Sequence, residues 1–180
     1  MKSFSEVGQD IFAYNHAQKN DGFFLDIGSY NPTVNNNTYG LELIGWKGFL
    51  FDVDERWEDV TKKTRTSPFI LGNVLDINWA HFREIFQVPA YVDYLSLDVD
   101  DHDHEPFSKT FTVLHRVIDA GFTFGAITVE HDAYRLGDQP RQNIRDFLAR
   151  QGYTLAVGNV SCHPGDPSWA FEDWFIGPTI

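Results

Sequence analysis

Short apolar runs alternate along this chain with segments of helical character, and this alternation restricts the possible folds more than any other feature. The runs are rich in Phe, Leu, Ile and Val, and turn residues bound them at lengths typical of strands. Strands separated by helical segments are typical of βαβ units, whose helices cover both faces of a parallel sheet. The sequence therefore predicts an α/β fold built on a mostly parallel sheet.

Seven strands and six helices are predicted. We expect the strands at 23–27, 48–53, 69–71, 91–98, 126–130, 153–157 and 169–176, and the helices at 5–18, 38–45, 55–65, 77–86, 107–120 and 140–152. Asp54 is expected to cap the third helix. A Pro- and Gly-rich loop without a helix joins the last two strands, which favours an antiparallel last strand. No linker or repeat divides the chain, so we expect a single domain over 1–180 with an N-terminal helix.

Composition excludes several classes of partner and site. The chain has 26 acidic and 14 basic residues and a net charge of −12, which repels nucleic acid backbones and anionic membrane surfaces. A lone cysteine, Cys162, excludes an internal disulfide, a multi-thiolate zinc site and an iron–sulfur cluster. The first residues lack the apolar stretch of a secretion signal, and no run approaches a membrane span. We expect a cytoplasmic protein that binds neither nucleic acid nor membranes.

The acidic excess is concentrated in three places. The segments 52–59 and 93–105, together with Glu130 and Asp132, account for the whole net charge. Each follows or overlaps the end of a predicted strand. Ligands of open α/β sheets bind outside the carboxyl ends of the strands. The sequence therefore predicts a functional site at this edge.

The first predicted strand ends in a loop that suits a nucleoside better than a dinucleotide. Asp26-Ile-Gly-Ser29 has one glycine where the dinucleotide fingerprint has three. Gly28 would let the chain pass a ligand, and Asp52 could accept hydrogen bonds from both ribose hydroxyls. A tight turn in which Asp52 caps the next helix explains the same residues equally well.

Several motifs together resemble one enzyme family. They are Val7-Gly-Gln-Asp10, the run 22–32, Asn37-Thr-Tyr39, Gly45-Trp-Lys-Gly48, Asp52, Tyr94-Leu-Ser-Leu-Asp-Val99 and Ile127-Thr-Val-Glu-His131. In this order they resemble the FkbM family of S-adenosylmethionine-dependent O-methyltransferases. The resemblance implies a Rossmann-like class I methyltransferase fold, with a seven-stranded sheet, helices on both faces and an antiparallel last strand.

The resemblance also implies site residues. Asp26, Gly28 and Ser29 would hold the methionine end of S-adenosylmethionine, with Gln9 closing over it. Asp52 would bind the ribose, and Asn73 or Val74 would lie by the adenine. Asp98 would face the sulfonium and the methyl acceptor. The family commonly has Glu-Gly after this Asp and its hydrophobic neighbour, whereas this chain has Asp100-Asp101-His102.

An O-methyltransferase must remove a proton from the acceptor hydroxyl as the methyl group is transferred. His131 and then His102 are the predicted bases, because histidine titrates near neutral pH; a structural hydrogen bond is the open alternative for each. Asp98, Asp101, Glu130 and Asp132 offer hard oxygen ligands, which predicts a possible Mg²⁺ site. The expected acceptor is a hydroxyl of a sugar, glycan or other small natural product. A second subunit of a homo-oligomer is one way to complete its pocket.

Two other functions fit parts of the sequence. Phe49-Leu-Phe-Asp-Val-Asp54 resembles the nucleophile motif of haloacid dehalogenase-like phosphatases, but that motif belongs on the first strand and here falls on the second. A catalytically inactive Rossmann-like domain that binds a metal or a sugar is the other alternative. It would bind divalent cations but not S-adenosylmethionine.

Overall fold

A single seven-stranded sheet organises the computed structural model, which describes residues 1–99, 108–163 and 165–178. The strands are β1 (Phe23–Ile27), β2 (Lys47–Asp52), β3 (Phe69–Leu71), β4 (Tyr91–Leu97), β5 (Thr123–Glu130), β6 (Thr154–Val160) and β7 (Glu172–Ile176). Their order across the sheet is β3-β2-β1-β4-β5-β7-β6. The strands β1 to β5 run parallel, and β7 is antiparallel to both β5 and β6. The predicted sheet and its antiparallel last strand are confirmed.

Helices cover both faces of this sheet. They are α1 (Gln9–Ala17), α2 (Tyr39–Leu43), α3 (Glu58–Thr64), α4 (Trp79–Ile85), α5 (Lys109–Asp119), α6 (Ala133–Leu136) and α7 (Gln139–Arg150), with 3₁₀ turns at Glu55–Trp57, Val74–Asp76 and Pro167–Trp169. Asp54 caps the first of these turns by accepting the Arg56 N–H. The predicted helix 55–65 is therefore a capped 3₁₀ turn followed by α3, which has no side-chain cap of its own. None of the helices in the described ranges combines the length and apolarity that a membrane span needs.

Two apolar cores hold the helices against the sheet. The larger core packs α4, α5 and α7 on one face, through side chains such as Phe82, Leu114 and Phe147. The smaller core packs α1 and α2 on the other face, through Ala13 and Leu41 against Phe24 and Tyr94. Alternate residues of each central strand face opposite cores, which explains why these strands are apolar along almost their whole length.

The helix α1 begins at Gln9, later than the predicted start at 5. Gly8 has a left-handed backbone with φ of 99° that ends helical geometry there. The buried Asp10 carboxylate then accepts hydrogen bonds from Ser3 Oγ, the Phe4 N–H and Ser5 Oγ, at 2.7 to 2.8 Å. These bonds hold the first residues in a turn over the start of the helix.

Gly28 marks the point where the sheet changes the direction of its strand order, between β1 and β4. A Cβ atom at Gly28 would lie 1.5 Å from the Asp98 carbonyl oxygen, and its φ of 82° is left-handed. The Asp98 N–H also donates to the Ile27 carbonyl at 2.9 Å. The missing side chain at position 28 therefore lets the two strand ends meet.

We expect Gly28→Ala to lower the free energy of unfolding by about 3 kcal/mol or more, because the new Cβ meets backbone that cannot turn away. Urea denaturation measures this change. Gly152→Ala is the matched control, because Gly152 has a φ of 84° but its nearest neighbour to a Cβ is an ordinary 3.8 Å contact. It should cost only about 1 kcal/mol of backbone strain. Equal losses in the two variants would contradict the close contact.

Candidate active site

The carboxyl ends of β1, β2, β4 and β5 meet at one edge of the sheet and bring most of the predicted site residues together. Asp52 and Ser29 lie on the β1–β2 side of this edge, and Asp98, Glu130 and Asp132 lie on the β4–β5 side. Asp93 is an exception among the acidic residues. It lies near the amino end of β4, where it pairs with Lys19 at 2.7 Å. The net charge is therefore not confined to the site edge.

Asp52 organises the β1–β2 side. Its Oδ2 accepts the Tyr30 N–H at 2.7 Å, and its Oδ1 accepts the Asp54 N–H at 2.8 Å. The following turn is capped by Asp54, so the alternative in which Asp52 caps a helix is wrong. Each carboxylate oxygen has one backbone donor and can accept a further hydrogen bond, as a pair of ribose hydroxyls would require.

Ser29, Tyr30 and Val53 lie close to Asp52 in the chain or in its hydrogen bonds. Ser29 is 5% exposed, and its buried Oγ has no hydrogen-bond partner among the described residues. Val53 is 73% exposed directly after Asp52, and the Tyr30 ring packs edge-on against Trp57 at 4.8 Å. Our sequence reasoning missed Val53 and Tyr30. Val53 could have been predicted from the sequence, because an apolar residue directly after a strand-end acid lies beyond the strand and cannot pack in the core.

Asp26, by contrast, is engaged within the protein. It is 2% exposed and accepts hydrogen bonds from Thr38 Oγ1 at 2.6 Å and Asn36 Nδ2 at 3.4 Å. The buried Arg65 guanidinium donates to Thr38 Oγ1 and Asn36 Oδ1, both at 3.0 Å. Burial raises the pKa of Asp26 although these donors and the Arg65 charge oppose the rise. Through these hydrogen bonds, Asp26 stabilises the end of the loop that follows β1.

The other residues predicted to hold the cofactor lie on different parts of the edge. Asn73 is exposed after β3 and caps the next turn by accepting the Leu75 N–H at 3.0 Å. Val74 is 6% exposed and belongs to the larger core, so Asn73 is the better placed of the two. Gln9 lies on the far side, where its Nε2 donates to Glu172 Oε2 at 3.1 Å.

Three carboxyl groups form a row across β4, β5 and β7, which we call the acidic row: Asp98, Glu130 and Glu172. Leu97 pairs with Val129 in the sheet, so the residues that follow them, Asp98 and Glu130, stand side by side. Glu130 pairs with Glu172 on the antiparallel strand. A small cleft opens at this row, lined by Asp98, Glu130 and Asp132 together with the hydroxyl residues Ser108 and Thr110.

Within the acidic row, Glu130 and Glu172 keep protons that exposed carboxyl groups would lose. Burial, followed by the charge of Asp98, raises the pKa of Glu130 far above its ordinary range. Burial also raises the pKa of Glu172 to about 8, and Asp98 adds to the rise against the hydrogen bonds from Trp174 and Gln9. Strongly shifted carboxyl groups beside a cleft are typical of functional sites.

Glu172 is a candidate site residue that the sequence reasoning missed. The predicted strand 169–176 contains it, but no site role is predicted for it. The consecutive acids Glu172 and Asp173 could have indicated it. Neighbouring residues of a strand face opposite sides of the sheet, so in a sheet covered on both faces at least one of the two must be buried. In the structure Glu172 is 4% exposed and Asp173 is fully buried.

His131 has partners that favour a structural role over the predicted catalytic one. It is 2% exposed, its Nδ1 accepts the Ala133 N–H at 3.1 Å, and its Nε2 lies 3.6 Å from Asp173 Oδ1. Arg145 donates to both oxygens of Asp173 at 2.7 and 2.8 Å. Burial of Asp173 is outweighed by this guanidinium, which holds the pKa of Asp173 below its ordinary range. His102, the second predicted base, lies outside the described residues.

The predicted metal site gains no support from the residues that surround it. Within the described ranges, no three His, Cys, Asp or Glu side chains are placed to bind a metal ion. The physical reason is that Oδ2 of Asp132 already pairs with Arg135, while burial keeps Glu130 protonated. Asp101, the fourth predicted ligand, lies outside the described residues. The side chains in the described ranges do not fit Mg²⁺, and no step below depends on a metal.

Comparison with known proteins gives a fold but no sequence family. No family model matches the chain, and no curated protein matches it in sequence. The structure is similar to magnesium protoporphyrin IX methyltransferase from Synechocystis PCC 6803, solved with bound S-adenosylmethionine, with a TM-score of 0.63 and 11% identity over 96% of this chain and 78% of that one.

Two further solved structures share the fold. The 1,6-didemethyltoxoflavin-N1-methyltransferase of Burkholderia thailandensis, with bound 1,6-didemethyltoxoflavin and S-adenosylhomocysteine, has a TM-score of 0.62 and 13% identity over 97% of this chain and 78% of that one. An O-methyltransferase from Bacillus cereus in complex with S-adenosylhomocysteine has a TM-score of 0.59 and 12% identity over 96% and 79%. The chain therefore has the Rossmann-like fold of class I methyltransferases.

The raised pKa of Glu172 predicts a pH-dependent stability. An unfolded glutamate loses its proton near pH ~4.3, whereas folded Glu172 keeps its proton up to about pH 8, so ionisation favours the unfolded state between these values. Stability should fall as the pH rises through this window. Glu172→Gln should reduce the fall between pH 5 and pH 8 by more than about 1 kcal/mol, measured by urea denaturation.

Asp173→Asn is the neighbouring control. It leaves the Arg145 guanidinium without its ionised partner, so it should destabilise the protein at both pH values. An unchanged pH dependence in Glu172→Gln would show that Glu172 ionises normally.

Proposed function

We propose that this protein is an S-adenosylmethionine-dependent O-methyltransferase that methylates a hydroxyl of a sugar or another small natural product. The observation that carries the proposal is the juxtaposition of two unlike surfaces at one sheet edge. Asp52, Ser29 and Val53 form a surface suited to a nucleoside, and the acidic row lies beside it on the other side of Gly28. Solved proteins of the same fold that hold S-adenosylmethionine or its demethylated product support the choice of cofactor.

The residues on the β1–β2 side fit this cofactor. The orphaned Oγ of Ser29 provides a buried hydrogen-bonding group, and the free lone pairs of Asp52 suit the ribose hydroxyls. Val53 and the Tyr30–Trp57 pair give an apolar border for the adenine. When bound, the cofactor supplies an electrophilic methyl group on a positively charged sulfur. Asp98, whose backbone lies against Gly28, would place negative charge near that sulfur.

The acidic row would orient the acceptor and take its proton. Asp98 and Glu130 are adjacent, and the charge of Asp98 raises the pKa of Glu130. A coupled pair of this kind holds one proton between two carboxyl groups. The ionised member can accept the proton of an acceptor hydroxyl while the protonated member donates a hydrogen bond. We assign the base role to Asp98; the role of His102 remains a prediction from the family resemblance.

The two competing functions are less compatible with these contacts. For a phosphatase of the haloacid dehalogenase type, Asp52 must attack as a nucleophile, yet both its oxygens accept backbone N–H groups. The proposed acid/base Asp54 caps a turn and pairs with Arg56. For the inactive domain that binds a metal or a sugar, the described residues provide no group of metal ligands. Its sugar-binding form differs from the proposed function in that it would not bind S-adenosylhomocysteine.

Isothermal titration calorimetry with S-adenosylhomocysteine tests the cofactor assignment. Asp52→Asn should weaken binding about tenfold or more, because it removes the charge that strengthens two hydrogen bonds to the ribose. Asp54→Asn is the matched control two residues away and should change the affinity less than about twofold, since Asp54 faces the Arg56 turn. No binding of S-adenosylhomocysteine to the wild-type protein would overturn the proposed function.

A methyl-transfer assay with radiolabelled cofactor tests the acidic row. We expect Asp98→Asn to lower kcat about a hundredfold or more while leaving the affinity for S-adenosylhomocysteine within about threefold, because the loss falls on proton removal. Full activity in this variant would remove Asp98 from the reaction. His131→Asn should instead lower thermal stability, in accordance with its buried partners.

A further inference from the structure

Two large aromatic side chains stay exposed beside the cleft, and we call this pair the aromatic shelf: Tyr134 and Trp169. They are 45% and 47% exposed, and their ring centroids lie 5.5 Å apart with the planes tilted by 32°. Tyr134 belongs to the short helix α6, and Trp169 ends the last 3₁₀ turn. Neither ring belongs to the two apolar cores described above. The pair therefore leaves a patch of aromatic surface exposed to solvent, and such patches often mark binding sites.

The aromatic shelf is built onto the backbone that carries the cleft residues. The His131 and Asp132 N–H groups donate to the Phe171 carbonyl at 2.7 and 3.0 Å, and the Tyr134 N–H donates to the Ala170 carbonyl at 3.3 Å. The segment 131–134 therefore runs along the segment 169–171. The Tyr134 phenol is also within electrostatic range of the Asp132 and Glu130 carboxyl groups. An aromatic surface and a polar cleft thus share one border.

The polar side of this border suits hydroxyl groups better than a cation. Oδ2 of Asp132 pairs with Arg135, so a cationic ligand would have to displace a guanidinium. Oδ1 of the same carboxylate is buried without a hydrogen bond to any of the described residues. A hydroxyl that reaches this buried oxygen could donate to it without displacing the guanidinium. Ser108 and Thr110 line the same cleft, but their hydroxyls already bond within the protein: Ser108 Oγ accepts the Phe111 N–H, and Thr110 Oγ1 donates to the Val99 carbonyl.

The apolar side suits a ring that has one apolar face. A pyranose presents C–H groups on one face and hydroxyls around its rim, so it can lie on an indole while its rim reaches carboxyl groups. A phenol has an equally flat face but few polar groups, and it would leave the buried Asp132 oxygen and its neighbours unpaired. An acyclic polyol has the hydroxyls but no rigid face to stack.

We propose that Trp169 and Tyr134 determine acceptor specificity by stacking against the ring of a pyranose whose hydroxyls bind Asp132 and the adjoining cleft. This inference rests on the proposed function for the reaction, but it makes a claim about binding that needs no methyl transfer. It assigns to the acceptor the aromatic shelf, on which the described residues place only the edge-on ring of His163, at 5.2 Å from Trp169.

Saturation-transfer difference NMR on the full chain tests this claim, with and without saturating S-adenosylhomocysteine. The probes are a panel of methyl pyranosides, sorbitol as an acyclic polyol and catechol as a phenol. We expect at least one pyranoside to bind, with saturation strongest on the protons of one ring face, and sorbitol and catechol to give no comparable signal. Trp169→Ala should weaken that pyranoside about tenfold, whereas Trp169→Phe keeps a flat ring and most of the binding.

Tyr91→Ala is the control for loss of an exposed aromatic ring, since Tyr91 is 38% exposed at the amino end of β4 on the opposite edge. It should leave the pyranoside signal unchanged. The proposal is overturned if no pyranoside binds, if catechol binds in their place, or if Trp169→Ala binds as the wild type does. Calorimetry separates this failure from that of the proposed function, because binding of S-adenosylhomocysteine depends on the other side of the sheet edge.

Discussion

The approach of two backbone segments at Gly28 and Asp98 is the constraint on which the site depends. Because position 28 carries no side chain, the end of β1 and the end of β4 come close enough for the Asp98 carbonyl to occupy the space of a Cβ. The surface around Asp52 and the acidic row are thereby placed side by side at the sheet edge. A wider separation would leave each surface intact but too far apart for a group to pass between bound molecules.

Burial and charge act on the acidic row in the same direction. Glu172 and Glu130 are removed from water, and each also feels the charge of Asp98, so both keep protons that free glutamates lose. The same strand shows the opposite result one residue later, where the bidentate Arg145 guanidinium keeps Asp173 ionised despite its burial. Neighbouring positions on β7 thus hold a protonated and an ionised carboxyl group because they face different sides of the sheet.

Local sequence patterns predicted the sheet well, since composition and spacing are enough to identify short buried strands; β1 and β3 were found with their observed bounds. The alternation also placed Asp52 and Asp98 at the correct edge. What failed depends on distant partners. Nothing near His131 reveals that Asp173 and the Phe171 carbonyl will surround it, and nothing near Gly28 shows that its neighbour is the backbone of residue 98. The helix α6, with four residues, is too short for a periodic pattern.

The position of β7 between β5 and β6 has a consequence for biosynthesis. The strand β6 has no neighbour in the sheet until β7, which follows it in the chain, pairs with both β5 and β6. During translation the edge of β5 that later pairs with β7 therefore stays unpaired while more than forty further residues are made. The contact of Gln9 with Glu172 spans 163 positions and can form only after β7 has begun to be made. A nascent chain can thus form the surface around Asp52 before the acidic row is complete. A chain truncated before β7 would present an open sheet edge to other proteins.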